Sequence, residues 1–315
     1  MNKTTLILDA SAIKESACML RLFNTVVLGY KGKISYNDVE FGTAFHIFRK
    51  IYREKGMPGM AEGMLAASAY YKDRPMLIKH NKKYLDLTFL QKVCLEYATI
   101  YQQDNLTPVK DRDGEALLEL TFAYPYYVDD EVEVLLAGTM DEIGKFHAGT
   151  YAIVDAKTTS VWDIDSYFRA YYLNAQLLFY RVALNYYASA HPESIFAEIN
   201  KFDVACMIDG IFLKGATADP IFRRSEVFLF SAEQVAEFEV LLRRKIMELV
   251  GHVKMWRQDA NYRPLREGMI NTACETVYGP CKYHPACAAK DPQWREAVYE
   301  NNFRVKSYNP LAHNE

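Results

Sequence analysis

Two closely spaced apolar runs, Glu133–Ile143 and Tyr151–Lys157, carry charges where buried strands ordinarily carry none. Between Gly138 and Thr159 the chain reads GTMDEIGKFHAGTYAIVDAKTT. The apolar YAIV before Asp155 predicts a buried strand, with Asp155 and Lys157 at its end. In a strand, side chains at i and i+2 point to one face, so Asp155 and Lys157 are expected to project together. A hairpin would carry Asp141, on the preceding run, to meet them. Two carboxylates and a lysine at a strand end suit a hard divalent cation and a phosphate, and that chemistry points to phosphodiester cleavage.

The chain has 315 residues, half of them hydrophobic and 14% aromatic, enough for a sizeable core in one large domain or two modest ones. Its 37 Lys and Arg against 40 Asp and Glu give a net charge of −3. Contact with nucleic acid therefore has to come from a local patch. No apolar run reaches the roughly 18 residues of a membrane span. MNKTTLILDASAIK lacks the apolar core and small-residue cleavage site of a signal peptide, so a cytoplasmic location is expected. With no such signal, the six cysteines read as thiols or metal ligands rather than a disulfide framework.

The first forty residues look like an irregular or short helical entry containing Cys18. Helical spacing predicts helices over Val39–Tyr52, Gly63–Tyr71 and Thr88–Gln103. Strand-like runs follow at Ala116–Tyr124, Glu133–Ile143 and Tyr151–Lys157. Asp163–Ser189 reads as one long Tyr- and Leu-rich helix. Val204–Lys214 and Ser225–Phe230 read as two more strands, Ser231–Trp256 as a long amphipathic helix, and the tail from Tyr262 as largely aperiodic. This order suggests an α/β core with a mixed sheet.

GTMDEIG followed by YAIVDAKTT resembles the core of the PD-(D/E)xK nuclease superfamily, in particular its RecB-type branch, which includes AddB-like and CRISPR-adaptation nucleases. The resemblance implies a restriction-endonuclease-like fold: a central mixed β-sheet flanked by helices. It implies Asp141 and Asp155 as ligands of Mg²⁺ or Mn²⁺, and Lys157 as the catalytic lysine. The branch carries an active-site histidine in a G-x-x-x-H segment, matched by Gly42–His46, which implies His46 as a further metal ligand. A glutamate on the preceding strand is matched by Glu119, with Glu115 as its competitor. The branch's Q-x-x-x-Y is matched by Gln176 and Tyr180, four apart on one helix face and implied to position DNA.

Cys274, Cys281 and Cys287 lie within CETVYGPCKYHPAC, bent by Gly279, Pro280 and Pro285, and suggest a metal loop. The same branch has an iron–sulfur staple joining one N-terminal cysteine to three C-terminal ones. By that resemblance Cys18, in SAIKESACMLRLFN, is the fourth ligand of a [4Fe–4S] cluster that joins the chain's N- and C-terminal parts. Six residues separate Cys274 from Cys281, where many relatives have two. His284 keeps a zinc site as the rival. Cys94 and Cys206 sit in apolar contexts and read as core thiols.

The resulting division is a helical region over 1–110 with the cluster cysteine and the active-site histidine, a nuclease core over 111–256, and a cysteine-containing cluster region over 257–315. The expected function is a metal-dependent DNA exonuclease preferring single strands or free ends, in recombination, repair or spacer processing, with a helicase, integrase or recombination partner and no membrane. The alternatives are a DNA-binding or assembly module with an auxiliary nuclease centre, and a zinc-stapled hydrolase of another substrate. Arg21, Lys31–Lys33, Lys79–Lys83 and Arg223–Arg224 are the candidate basic contacts. The chain has no G-x-x-x-x-G-K-[ST] loop, so it is not itself an ATP-driven helicase.

Overall fold

The structure is a computed structural model that describes residues 3–33, 35–215, 218–276 and 279–311. The chain forms two compact units that alternate along the sequence. One comprises Met1–Lys33, Thr121–Gly138 and Ala232–Glu315, and the other Ile34–Leu120 and Thr139–Ser231.

The second unit is built on a mixed sheet. Tyr151–Val154 pairs antiparallel with Glu142–Lys145, and Ala152–Thr159 runs parallel to Ala205–Phe212. Leu106–Pro108 and Ile221–Arg224 add antiparallel edges against Gly144–Phe146 and Asp209–Phe212. Alternation sorts the side chains onto two faces. Ile211, with Leu213 just beyond the strand end, packs against a helical layer formed by Asn37–Lys55, Met60–Asp73 and Leu87–Ile100, whose core is aromatic: Phe41, Phe45, Phe48, Tyr52, Phe89 and Tyr97. On the other face, the helix Ala175–Ala190 lies close enough for Cys206 Sγ to reach Leu177 O at 3.9 Å. The unit is thus α/β, with a mixed sheet flanked by helices.

Between sheet and helical layer lies a buried charge network. Arg49 and Arg53, four apart on one helix, both reach Glu142, with Arg49 Nη2 at 2.7 Å from Oε2 and Arg53 Nη2 at 2.6 Å from Oε1. Arg53 and Arg224 both bind Asp104 at 2.6 Å. Tyr97 donates to Asp209 Oδ2 at 2.7 Å, and Arg49 Nε lies 3.4 Å from the same oxygen. Three guanidiniums therefore face three carboxylates, and the charges balance. Burial raises the pKa of Asp209, but Arg49 and Arg224 outweigh it and hold the carboxyl below its ordinary value; Arg224 and Arg53 do the same for Asp104.

In the first unit, Thr4–Leu8 runs parallel to Val132–Leu136. Asp9 caps the helix Ala10–Glu15 by accepting from Ala12 N–H at 2.7 Å, and Cys18 occupies the N-cap position of Met19–Val26. Early and late segments of the chain meet within this unit: Tyr30–Gly32 pairs with Phe303–Val305, and Tyr308 donates to Asp9 at 2.7 Å.

Several local expectations change. The entry holds a strand, Thr4–Leu8, whose run TTLIL is too short to show a period. Asp163–Ser189 is two helices, Ile164–Arg169 and Ala175–Ala190, because Asn174 turns its side chain back to Gln176 N–H and starts a new helix. Ser225–Phe230 is no strand. It meets its neighbour through the Ser225 N–H to Ile208 O bond at 2.9 Å and the isolated Cys206–Phe228 bridge, and the edge strand falls earlier, at Ile221–Arg224. The tail holds two helices, His284–Ala288 and Pro292–Asn302, the second capped by Asp291 with Pro at its start. No helix among the described residues is long and apolar enough to cross a membrane.

Candidate functional site

The Lys157 strand, the Asp141 strand, the His46 helix and the Gln176 helix converge in the second unit. Asp155 is fully buried. Its Oδ1 accepts from Lys157 Nζ at 2.8 Å and from Gln176 Nε2 at 2.9 Å. Gln176 Nε2 also donates to Tyr180 Oη at 3.0 Å, so the i, i+4 pair works as one unit. Asp155 Oδ2 lies 2.7 Å from the same Nζ, so both carboxylate oxygens face the ammonium. Asp141 Oδ2 accepts from Ala156 N–H at 2.7 Å, which fixes that carboxylate against the Lys157 strand. The helix comes close at this point because Gly42 lacks a side chain: a Cβ there would lie 3.0 Å from Thr158 Oγ1.

His46 Nδ1 lies 3.4 Å from Glu119 Oε1 and 3.7 Å from Asp141 Oδ2. Ligand atoms of these three residues all fall within 4.8 Å of one another, and among the described residues they form the one such set. Glu119 reaches it from a backbone at φ 49°, in the left-handed region that a β-strand glutamate normally avoids. Such strain costs about 1–3 kcal/mol and persists only where the surroundings impose it; here it turns the carboxylate into the site. Its competitor Glu115 is exposed in a turn, where its backbone N–H donates to Asp111 Oδ1.

The electrostatics follow. Burial disfavours a proton on His46, but Asp141 and Glu119 outweigh it and raise the pKa. Burial likewise opposes the charge on Lys157, and Asp155 and Asp141 outweigh it, so the lysine stays cationic. Asp155 is raised by burial and by Asp141, against the pull of Lys157. The carboxylates that raise the His46 pKa are a hard-oxygen set that a divalent cation would engage. Asp155 Oδ2, paired with the Lys157 ammonium at 2.7 Å, adds one further donor beside them.

The four singled-out cysteines meet in the first unit. Cys18, Cys274, Cys281 and Cys287 line one small cavity with Arg21, Arg266, Tyr283 and His284. Cys281 N–H donates to Cys274 O at 2.8 Å and His284 N–H to Cys281 O at 2.8 Å, which holds the backbone around these cysteines. Burial and the neighbouring cysteines push the Cys274 and Cys287 thiols up, while Arg266 pulls Cys287 down. A Cβ on Gly268 would lie 3.0 Å from Cys274 Sγ and 3.5 Å from Cys18 Cβ. Cys94 and Cys206 are buried elsewhere, with the Cys206 thiol pushed up to about 12 by burial.

Of the basic runs, Lys79 and Lys82 both bind Asp38, at 2.8 and 2.7 Å. Arg223 pairs with Asp165 at 2.9 Å, and Arg21 with Glu15 at 3.5 Å. Arg224 belongs to the buried network. Sequence reasoning passed over that network, although two signals were present: Arg49 and Arg53 share the helical spacing of His46, and Glu142 directly follows Asp141. Comparison of the sequence with protein-family models finds no match, and comparison with curated proteins finds no significant one.

Proposed function

We propose that this chain is a metal-dependent phosphodiesterase of the PD-(D/E)xK type acting on DNA. The observation that carries the reading is the convergence of His46, Glu119 and Asp141 beside the Asp155–Lys157 ion pair. The set fits Mg²⁺ or Mn²⁺: two carboxylates and an imidazole at hand, with Asp155 adjoining. A bound divalent cation would supply Lewis acidity at the phosphate and acidify a water. His46, Glu119 and Asp141 would hold it, with Asp155 closing the site. Lys157 would orient the attacking water and offset charge on the phosphate. Gln176 holds Asp155 in register, and Tyr180 holds Gln176.

The reading extends to a single-strand-preferring exonuclease in recombination, repair or spacer processing, working beside a helicase or integrase. Single strands blocked at the 5′ or the 3′ end, digested with Mn²⁺, test it. One blocked end should stop digestion and the other should not; equal cutting of both, with internal products, would replace the exonuclease by an endonuclease.

For the cysteine cavity we infer a [4Fe–4S] cluster. Four cysteines lining one cavity match the four thiolates that such a cluster takes. Its role would be to tie Cys18 to the C-terminal loop inside the first unit. Gly268→Ala should reduce iron bound per chain at least about twofold, because the new methyl presses on Cys274 Sγ with backbone behind it. Iron analysis and visible absorbance of anaerobically prepared protein measure this; zinc at full occupancy would overturn the cluster.

A further inference from the structure

The loop leaving the Lys157 strand presents an aromatic ring that nothing in the catalytic account uses. Trp162 is 76% exposed, five residues beyond Lys157. Five residues span at most about 17 Å, so the ring stands within a few nucleotides of the candidate cleavage site. The loop beneath it is pinned. Lys214 Nζ donates to Val161 O at 2.6 Å and to Trp162 O at 2.7 Å, and lies 5.2 Å from the indole centroid. The backbone is therefore held while the ring stays open to solvent. Tyr172, 66% exposed, follows on the turn between the next two helices.

An indole left in water forgoes the burial that large aromatic rings normally gain. A cation fixed over one face of the ring adds charge complementary to a phosphate, and the rest of the 76% exposed residue offers a flat surface complementary to a base. A duplex hides its base faces in the stack, whereas an unpaired strand offers them, and stacking on aromatic rings tolerates any sequence. We propose that Trp162 is the stacking platform for an unpaired base of the strand being cleaved, with the Lys214 ammonium over the opposite face of the ring adding positive charge for the adjoining phosphate. The inference rests on the nuclease reading and deepens it, by giving single-strand preference a structural source.

The test is binding of an oligothymidylate to the full chain in Ca²⁺ without Mg²⁺ or Mn²⁺, followed by tryptophan fluorescence and by anisotropy of a labelled strand. The wild type should show quenching on binding. Trp162→Ala should lose most of the quenching and bind about tenfold more weakly, while its binding of blunt duplex and its melting curve stay unchanged. Trp162→Phe should recover most of the affinity. Undiminished affinity in Trp162→Ala, with the wild type binding normally, overturns the platform and leaves the nuclease reading standing. A wild type that binds neither strand nor duplex overturns both.

Discussion

Asp155→Asn and Lys157→Met should each lower DNA cleavage by about 10²–10³-fold or more, with the fold retained. Asp155 is buried and holds both Lys157 and Gln176 through Oδ1. Asn keeps the shape and an acceptor but removes the charge that a cation and Lys157 both need. Met keeps the stem of Lys157 and removes the ammonium, the charge that opposes the upward pull of burial on Asp155. Circular dichroism and thermal melting report the fold, and initial rates on labelled single strands report the chemistry. Full activity in both variants would reject the site.

The second large effect is on stability. Arg49→Met should cost about 3–5 kcal/mol, because it leaves Glu142 and Asp209 buried with one guanidinium fewer. Urea unfolding at neutral pH measures it, and a loss under about 1 kcal/mol would show that the network is not energetically coupled. Its acid response has a definite sign. Asp104 and Asp209 have folded pKa values below their ordinary ones. Their contribution is therefore fully present above the unfolded value of about 3.9, and is lost as pH falls through the folded values. The wild type should keep this part of its stability from neutral pH down to about pH 4 and lose it below.

The strands and helices around the candidate site were legible because their periods are strong. YAIVDAKTT announced a buried strand with a charged end, and the Phe-rich spacing of residues 39–52 announced a helix. The i, i+2 argument put Asp155 and Lys157 on one face, and they form an ion pair at 2.7 Å. Other features could not be read from spacing. The left-handed backbone of Glu119 follows from what surrounds it, not from its neighbours in sequence. Arg49 and Arg53 look like solvated helix charges until Glu142, Asp104 and Asp209 close over them from distant segments. The break at Asn174 depends on one side chain choosing its own backbone over a continuing helix. The interleaving of the two units, with the segment 232–315 joining the first 33 residues, is likewise a property of long-range packing.

The central claim is that His46, Glu119, Asp141, Asp155 and Lys157 cleave a phosphodiester with a divalent cation. Digestion of uniformly labelled single-stranded DNA tests it most directly, run with Mn²⁺, with Mg²⁺ and with EDTA, on the wild type and Asp141→Ala. The account predicts cleavage with either metal, none with EDTA and none by the variant. Cleavage that survives EDTA or the loss of Asp141, or a wild type that leaves the DNA intact with both metals, would contradict it.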